Sequence, residues 1–199
     1  FPSINWSGPE GFYSNETAVN DLLPGNYEVN VKDENGCEIS ERFSIKEPEP
    51  LSINLNEKTD VSCHGAPTGS LSFIVSGGIA DSYQYLWTKD GVPFDLNSPK
   101  GNGLYAGTYQ ITVHDGNGCQ VSSSTISITQ PTAPLEVSME QTEVSCYGAN
   151  DANLSIAISG GVKPYQIKWN TGEDQSSFEG IGPGLYQVTV TDAVGCVVS

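Results

Sequence analysis

Basic side chains are scarce in this sequence. Lys and Arg number 8 in 199 residues against 24 Asp and Glu, which leaves a net charge of −16. Phosphate backbones and anionic bilayers are gripped by clustered positive charge, so nucleic-acid binding and electrostatic membrane docking are not expected. Apolar runs are short too, and none approaches the ~20 residues of a membrane-spanning helix, so no membrane insertion is expected. No Cys-x-x-Cys or Cys/His ligand spacing occurs, which argues against zinc. Ser/His/Asp, Cys/His and phosphate-loop arrangements are missing, and the two histidines, His64 and His114, occupy places where other stretches of the chain carry Tyr, Lys or Thr. An enzyme is not expected. The opening residues FPSINWSGPE show no basic segment followed by an apolar core, so no signal peptide is visible. Nor does any stretch sustain the 3.6-residue period of an amphipathic helix.

Glycine, by contrast, is plentiful at 22 residues, and a frame recurs around it. NYEVNVKDENGCEIS (Asn26 to Ser40), TYQITVHDGNGCQVS (Thr108 to Ser122) and LYQVTVTDAVGCVVS (Leu185 to Ser199) share Tyr, alternating apolar residues, Asp, two variable residues, Gly and Cys. Trp6, Trp87 and Trp169 are spaced by 81 and 82 positions; Cys37, Cys119 and Cys196 by 82 and 77. A period of about 80 residues marks a tandem repeat.

Tyr109, Ile111 and Val113 alternate with Gln110, Thr112 and His114, and Tyr186, Val188 and Val190 alternate likewise. Period-two alternation predicts strands with one buried face. Leu71, Phe73 and Val75 predict another, as do Leu154, Ile156 and Ile158. Gly pairs and Asp-Gly turns bound them. The fold class is therefore all-β, with tandem β-sandwich repeats arranged end to end. Pro48 and Pro50, then Pro131 and Pro134, punctuate the joints. They divide the chain into the C-terminal part of a first repeat (1–49), a complete second repeat (50–131) and a third lacking most of its last strand (132–199). A segment of a longer array is expected.

The ordered elements VSCHGAPTGSLSFIVSGG, YQYLW, LYAGTYQITVHDGNGC, and again VSCYGANDANLSIAISGG, YQIKW and GPGLYQVTVTDAVGC, resemble the SprB-type repeat. The repeat is also similar to the immunoglobulin-like and PKD-like sandwich class. The resemblance implies a very large surface adhesin of gliding bacteria, exported by the type IX secretion route. It thus implies an extracellular, cell-surface location and a part in adhesion and gliding motility. Partners would be neighbouring repeats of the same chain, with surface polysaccharide met through other parts of the parent protein.

Several residues invite a sharper role. Asp33, Asp115 and Asp192 recur in every copy, and Asn35 or Asn117 could add an oxygen for Ca²⁺. Val194 stands where the third copy needs that oxygen, so a hairpin turn capped by its own Asp is the preferred reading and no cofactor is expected. Trp6, Trp87 and Trp169 could stack on sugars, but they lie in phase with apolar neighbours and are expected in the core. Phe12, Tyr13, Phe94 and Tyr147 fall outside the frame and are the better surface candidates. Tyr27, Tyr109 and Tyr186 each follow Gly by two and are expected in the core as tyrosine corners.

Five cysteines at repeating positions point to an oxidising compartment. Within-repeat pairing would join Cys63 to Cys119 and Cys146 to Cys196, leaving Cys37 without a partner. The alternative joins Cys63 to Cys196 across a joint. A strand of about eight residues spans roughly 26 Å, against the ~7 Å limit for bridged Cα atoms, which speaks against the first. That first pairing is nonetheless preferred, because it keeps each repeat self-sufficient.

Two functions fit. One is a structural spacer in a surface adhesin; the other is a carbohydrate- or calcium-dependent binding module of a secreted protein. Outward positions Glu28, Gln110 and Gln187, or Lys32, His114 and Thr191, share no ligand set across copies, which favours the spacer. Short Pro-bearing joints and mutual acidic repulsion predict a stiff array. Small-angle scattering should then give a rod of roughly 90–110 Å from strands of this length. A radius of gyration near the ~17 Å of a compact 199-residue domain would overturn that reading.

Overall fold

The computed structural model describes residues 2–79 and 83–199. The chain forms two compact units, Phe1–Pro50 and Leu51–Ser199. Among the described residues the only helical element is a three-residue 3-10 turn, Pro9–Gly11, and no helix is long and apolar enough to cross a membrane.

The first unit is one antiparallel sheet. Strands β1 (Ser3–Ser7), β2 (Tyr13–Ser14), β3 (Gly25–Lys32) and β4 (Glu38–Ile45) lie in the order β2-β1-β3-β4. Its apolar face carries an aromatic row in which Tyr27 stacks on Phe43 and Trp6 meets Phe43 edge-on. Phe12 closes edge-on over Tyr27, so it is not the free surface aromatic expected of it. Tyr27 is buried, but Trp6, expected in the core, is only half-buried. Within this unit no second sheet lies across that face.

The second unit contains two sandwiches. The first is built from β5 (Ser52–Thr59), β6 (Gly69–Ser76), β7 (Gln84–Lys89), β8 (Val92–Phe94), β9 (Lys100–Leu104), β10 (Gly107–His114), β11 (Gln120–Ser122) and β12 (Ile126–Ile128). One sheet has the order β5-β6-β9; the other has the order β11-β10-β7-β8, with β12 also pairing β10. These are the A-B-E and G-F-C-C′ orders of an immunoglobulin-like sandwich. The same plan returns in β13 (Glu136–Gln141), β14 (Ala152–Ser159), β15 (Gln166–Trp169), β16 (Ser177–Ile181), β17 (Val188–Thr191) and β18 (Val197–Val198). Their sheets are β13-β14-β16 and β15-β17-β18.

Period-two alternation decides which side chains fill the gap between sheets. Along β10, Tyr109, Ile111 and Val113 are buried while their neighbours are half-exposed. They meet Leu71 and Phe73 from β6 and Trp87 from β7. The third repeat assembles Leu154, Trp169, Phe178, Val188 and Val190. Full burial of one such aliphatic or aromatic side chain contributes about 1.5–3 kcal/mol. Trp87 and Trp169 each meet a Phe edge-on, at centroid distances of 5.5 and 5.1 Å. Their indole N–H groups donate to Ser98 O and Gln175 O, both at 2.8 Å, so the polar tip is satisfied inside the core.

The register is the same in all copies. Trp6 pairs with Val29, Trp87 with Ile111 and Trp169 with Val188, in each case the residue two after the framework tyrosine. Hairpin β7–β8 turns through Asp90 and Gly91, both at positive φ (52° and 78°), as a two-residue hairpin loop requires. That turn folds Phe94 back onto Tyr109, 5.8 Å between centroids, so Phe94 faces inward, unlike the surface role expected for it.

Each framework tyrosine bonds to a carbonyl four residues upstream. Tyr27 OH donates to Leu23 O (2.7 Å), Tyr109 OH to Tyr105 O (2.9 Å) and Tyr186 OH to Gly182 O (3.2 Å). This is the geometry of a tyrosine corner. Tyr27 and Tyr109 are buried, whereas Tyr186 lies just before β17 and is half-buried. Tyr109→Phe removes one such bond, and a loss on the order of 1 kcal/mol is expected in denaturant unfolding. An unchanged unfolding midpoint would show that the corner holds nothing.

Candidate functional site

The densest polar organisation in the second unit lies where its two sandwiches meet. It begins with an Asp-x-x-Gly-Cys hairpin. In Asp192–Cys196 the Asp192 Oδ1 accepts from the backbone N–H of Val194 (3.0 Å) and Cys196 (2.8 Å). Its Oδ2 accepts from Val162 N–H at 2.9 Å. One carboxylate therefore closes its own turn and ties it to the Gly160–Gly161 turn at the same pole. The second repeat does the same: Asp115 takes Asn117 and Cys119 N–H on Oδ1 and Ile79 N–H on Oδ2. In the first unit Asp33 Oδ1 takes Asn35 and Cys37 N–H, both at 2.8 Å.

Asp115 and Asp192 are the only polar or charged residues among the described ones that are buried. Between them they accept from six backbone N–H groups that would otherwise lose their partner. For Asp115, the Ile79 N–H chiefly holds the carboxyl below its ordinary range against the opposing pull of burial, with Cys119 and Asn117 adding to it. For Asp192, burial pushes the carboxyl up and is outweighed by donors on Val162, Cys196, Val194 and Gly195, so the net direction is down. These carboxylates cap backbone. We find no group of three or more His, Cys, Asp or Glu placed to hold a metal among the described residues.

The hairpin presents Cys196 to the preceding sandwich. Cys196 is bonded to Cys63 with a Cα–Cα separation of 5.7 Å, while Cys37, Cys119 and Cys146 are free and exposed. This corrects the preferred within-repeat pairing of Cys63 with Cys119 and of Cys146 with Cys196. The reason is polar geometry. Cys63 lies beyond the end of β6 that starts at Gly69, and the Cys119 hairpin is tied by Asp115 to Ile79, just past the other end of β6 at Ser76. Eight strand residues, roughly 26 Å, separate them.

Backbone clamps surround the bridge. Asp60 Oδ1 accepts from Thr129 N–H (2.7 Å) and Val61 N–H donates to Thr129 O (2.9 Å). Gly65 N–H donates to Gln130 Oε1 (2.9 Å), and His64 Nδ1 lies 2.8 Å from Pro131 O. The loop carrying Cys63 is thus sewn to the segment leaving the second repeat. On the other side, Gly161 N–H donates to Ala133 O at 3.1 Å. A Cβ on Gly160, at φ 67°, would overlap the Pro134 carbonyl oxygen, so this close approach requires glycine. The linker is gripped from both ends. Ser62 O sits 3.5 Å from Cys196 Sγ.

Comparison between copies discards His64, because Tyr147 holds the matching place, and so it misses this residue at the joint. Asp60 was findable: an acidic residue precedes Val-Ser-Cys in both copies, as Asp60 and Glu143. Gln130, which acts through its side-chain oxygen, and Ala133, which acts through its carbonyl, carry no signal in the sequence. Of the surface aromatics, Tyr13 and Tyr147 are exposed.

The SprB repeat family matches residues 55–92 and 138–174. Each matched stretch lies in one of the two immunoglobulin-like sandwiches of the second unit. Among solved structures, the three N-terminal domains of the bacteriophage RB49 highly immunogenic outer capsid protein (Hoc) are similar at 15% identity and a TM-score of 0.47, over 98% of this chain and 74% of that one. Immunoglobulin domains 1–4 of Sidekick-1 are similar at 15% identity and a TM-score of 0.31, over 96% of this chain and 62% of that one. No curated protein matches the chain.

Asp60, Asp115 and Asp192 all titrate below the ordinary carboxylate value in the folded state. Their stabilisation is therefore complete above the unfolded value of about 3.9, and it is lost as pH falls through the lowered folded values. The thermal midpoint should drop progressively below about pH 5. Asp192→Asn replaces an acceptor by a donor and leaves either Val162 N–H or the hairpin pair unmatched. The variant should melt earlier at neutral pH and show a weaker acid dependence. An unchanged midpoint and slope would remove the carboxylate from its place as the tie of the pole.

Proposed function

We propose that this chain is a run of non-catalytic spacer repeats in a large secreted adhesin at the cell surface, serving surface attachment and gliding motility. The two SprB repeats support the adhesin. The observation that carries the spacer role is the joint, in which a disulfide links consecutive sandwiches and five hydrogen-bonding contacts fasten the connecting segment, four to the Cys63 loop and one to the glycine turn of the third repeat. A module that only recognises a ligand has no need of a covalently locked neighbour. The bridge also suits an extracellular setting, where thiols are oxidised. Its loop of 133 residues takes in most of both sandwiches. In the chain-entropy treatment a loop of that size stabilises by about 5 kcal/mol.

The carboxylates that recur in every copy are occupied with backbone N–H groups, which supports a structural role over a calcium-dependent one. Contact with surface polysaccharide is assigned to other parts of the parent protein, and the partners of this segment are neighbouring repeats.

A spacer transmits tension. Pulled by its ends in single-molecule force spectroscopy, the oxidised chain should withhold the 133 residues between Cys63 and Cys196. Reductant should release a further ~450 Å of extension, at about 3.4 Å per residue, in resolved unfolding steps. A chain that stretches without resolved steps in both conditions would overturn the stalk reading.

A further inference from the structure

The second and third repeats are joined at two points, and both points are fastened to the same pair of loops. The first point is the backbone. Thr129 N–H donates to Asp60 Oδ1, and Thr129 O accepts from Val61 N–H. Gln130 Oε1 accepts from Gly65 N–H and Pro131 O from His64 Nδ1. These three residues therefore move with the second repeat. Ala133 and Leu135 belong to the third, since Ala133 O accepts from Gly161 N–H and Leu135 packs against the core around Trp169 and Val190. Thr132 stands between the two sets. It is exposed, the chain bends there, and among the described residues no hydrogen bond fastens it to either side.

The second point is the Cys63–Cys196 bond. Cys63 lies in the loop that holds Pro131, between Asp60 and Gly65. Cys196 ends the Asp192 hairpin, which Val162 N–H ties to the glycine turn that holds Ala133. Neither anchor is loose, so the joint has the freedom of two capped bodies connected at Thr132 and at the sulfurs. A body held at two points turns only about the line through them. Held at one point, it turns about every axis. Both cysteines are half-exposed and His64, Gly65, Val194 and Gly195 beside them are exposed, so a small thiol can reach the bond.

We infer that Thr132 is the pivot of a hinge between the second and third repeats, and that the Cys63–Cys196 bond is its redox-sensitive lock. Oxidised, the joint is confined to a narrow range of orientations. Reduced, the third repeat swings about Thr132 while both sandwiches, each with its own core, stay folded. In the opening step a dithiol reductant gives two electrons and two protons to the bridge. The S–S bond breaks, Cys63 and Cys196 become thiols, and the reductant leaves as its own disulfide. One residue suffices, because a hinge is a short segment that absorbs the φ/ψ change while its flanks stay fixed. The inference goes beyond the spacer reading and is tested apart from it: force spectroscopy reads how much chain is released, whereas the hinge shows as orientation without load.

The full chain carries a donor and an acceptor fluorophore on non-natural residues at Val92 and Asp174, exposed positions in the second and third repeats. Time-resolved energy transfer then reads the distribution of distances between them. The oxidised chain should give one narrow distribution. After a dithiol reductant, and in the Cys63→Ser/Cys196→Ser variant, it should be roughly twofold wider or more, as release of a hinge requires. The near-ultraviolet signal of the two tryptophan-bearing cores should persist. Thr132→Pro, which fixes φ at the pivot, should narrow the reduced distribution again and leave the oxidised one unchanged. An equally narrow distribution after reduction would show that the bond locks nothing. Loss of the near-ultraviolet signal would make the bond a prop of the cores, and an unchanged width in reduced Thr132→Pro would move the pivot elsewhere. Each of these three results overturns the inference.

Discussion

A buried carboxylate accepting backbone N–H groups on both oxygens is the interaction on which the poles of these repeats depend. Hairpins and turns at the end of a sandwich leave donors that neither sheet can satisfy. Asp192 meets three of them, two in its own hairpin and one at Val162 beside the glycine pair. It thereby fixes two loops against each other with one side chain, and the following Gly195, at φ 87°, lets the hairpin close. An ionised group at this depth would be expensive without partners, and the hydrogen bonds reverse the balance. The same arrangement at Asp115 explains why Asp, and not a neutral cap, stands in the second and third copies.

Once the pole is rigid, the cysteine four residues after the Asp has a fixed exit direction. A disulfide between two mobile loops constrains little in the folded state. Between two capped loops it defines the orientation of one sandwich on the next. The linker is drawn into the same arrangement: Pro131 and Ala133 lend carbonyls to His64 and Gly161, one on each side. Proline suits this segment because its carbonyls are used and its missing N–H is not needed. Local chemistry in a five-residue hairpin thus becomes interdomain geometry.

Much of this was legible in the sequence, and the boundary is physical. Period-two alternation located the inward faces of β6, β10 and β14, and the Trp and Tyr phases gave the packing of Trp87, Trp169 and Tyr109. Side-chain direction in a strand follows from residue parity alone, so parity suffices. The disulfide was misjudged because self-sufficiency of a repeat outweighed the strand-length argument; Cys63 and Cys119 are near in the repeat but at opposite poles. Phe12 and Phe94 were assigned outward because they lie outside the shared frame, yet each folds back on a framework tyrosine. Trp6 obeys the parity rule and is still half-exposed, since parity names a face and only a second sheet buries it. His64 shows the converse limit: comparison of copies finds what every repeat needs, and a residue that serves one joint is invisible to it.

The unlikeness of the two halves of the joint has a further consequence. An interface between identical patches closes on itself as a two-fold dimer, whereas one between unlike patches extends in one direction unless rotation closes a ring. Here the loop bearing Cys63 and the hairpin bearing Cys196 are at opposite poles of the repeat plan, as the Asp115 tie to Ile79 and the position of Cys63 beyond Gly69 require. Each repeat of this plan therefore carries a loop pole and a hairpin pole, and the bridge joins the loop of one repeat to the hairpin of the next. The direction of the bridge along the chain follows from the placement of two cysteines relative to one eight-residue strand. The acidic surface adds to this, because at a net charge of −16 like-charged neighbours repel one another. At the joint the Cys63–Cys196 bond holds together what charge would otherwise push apart.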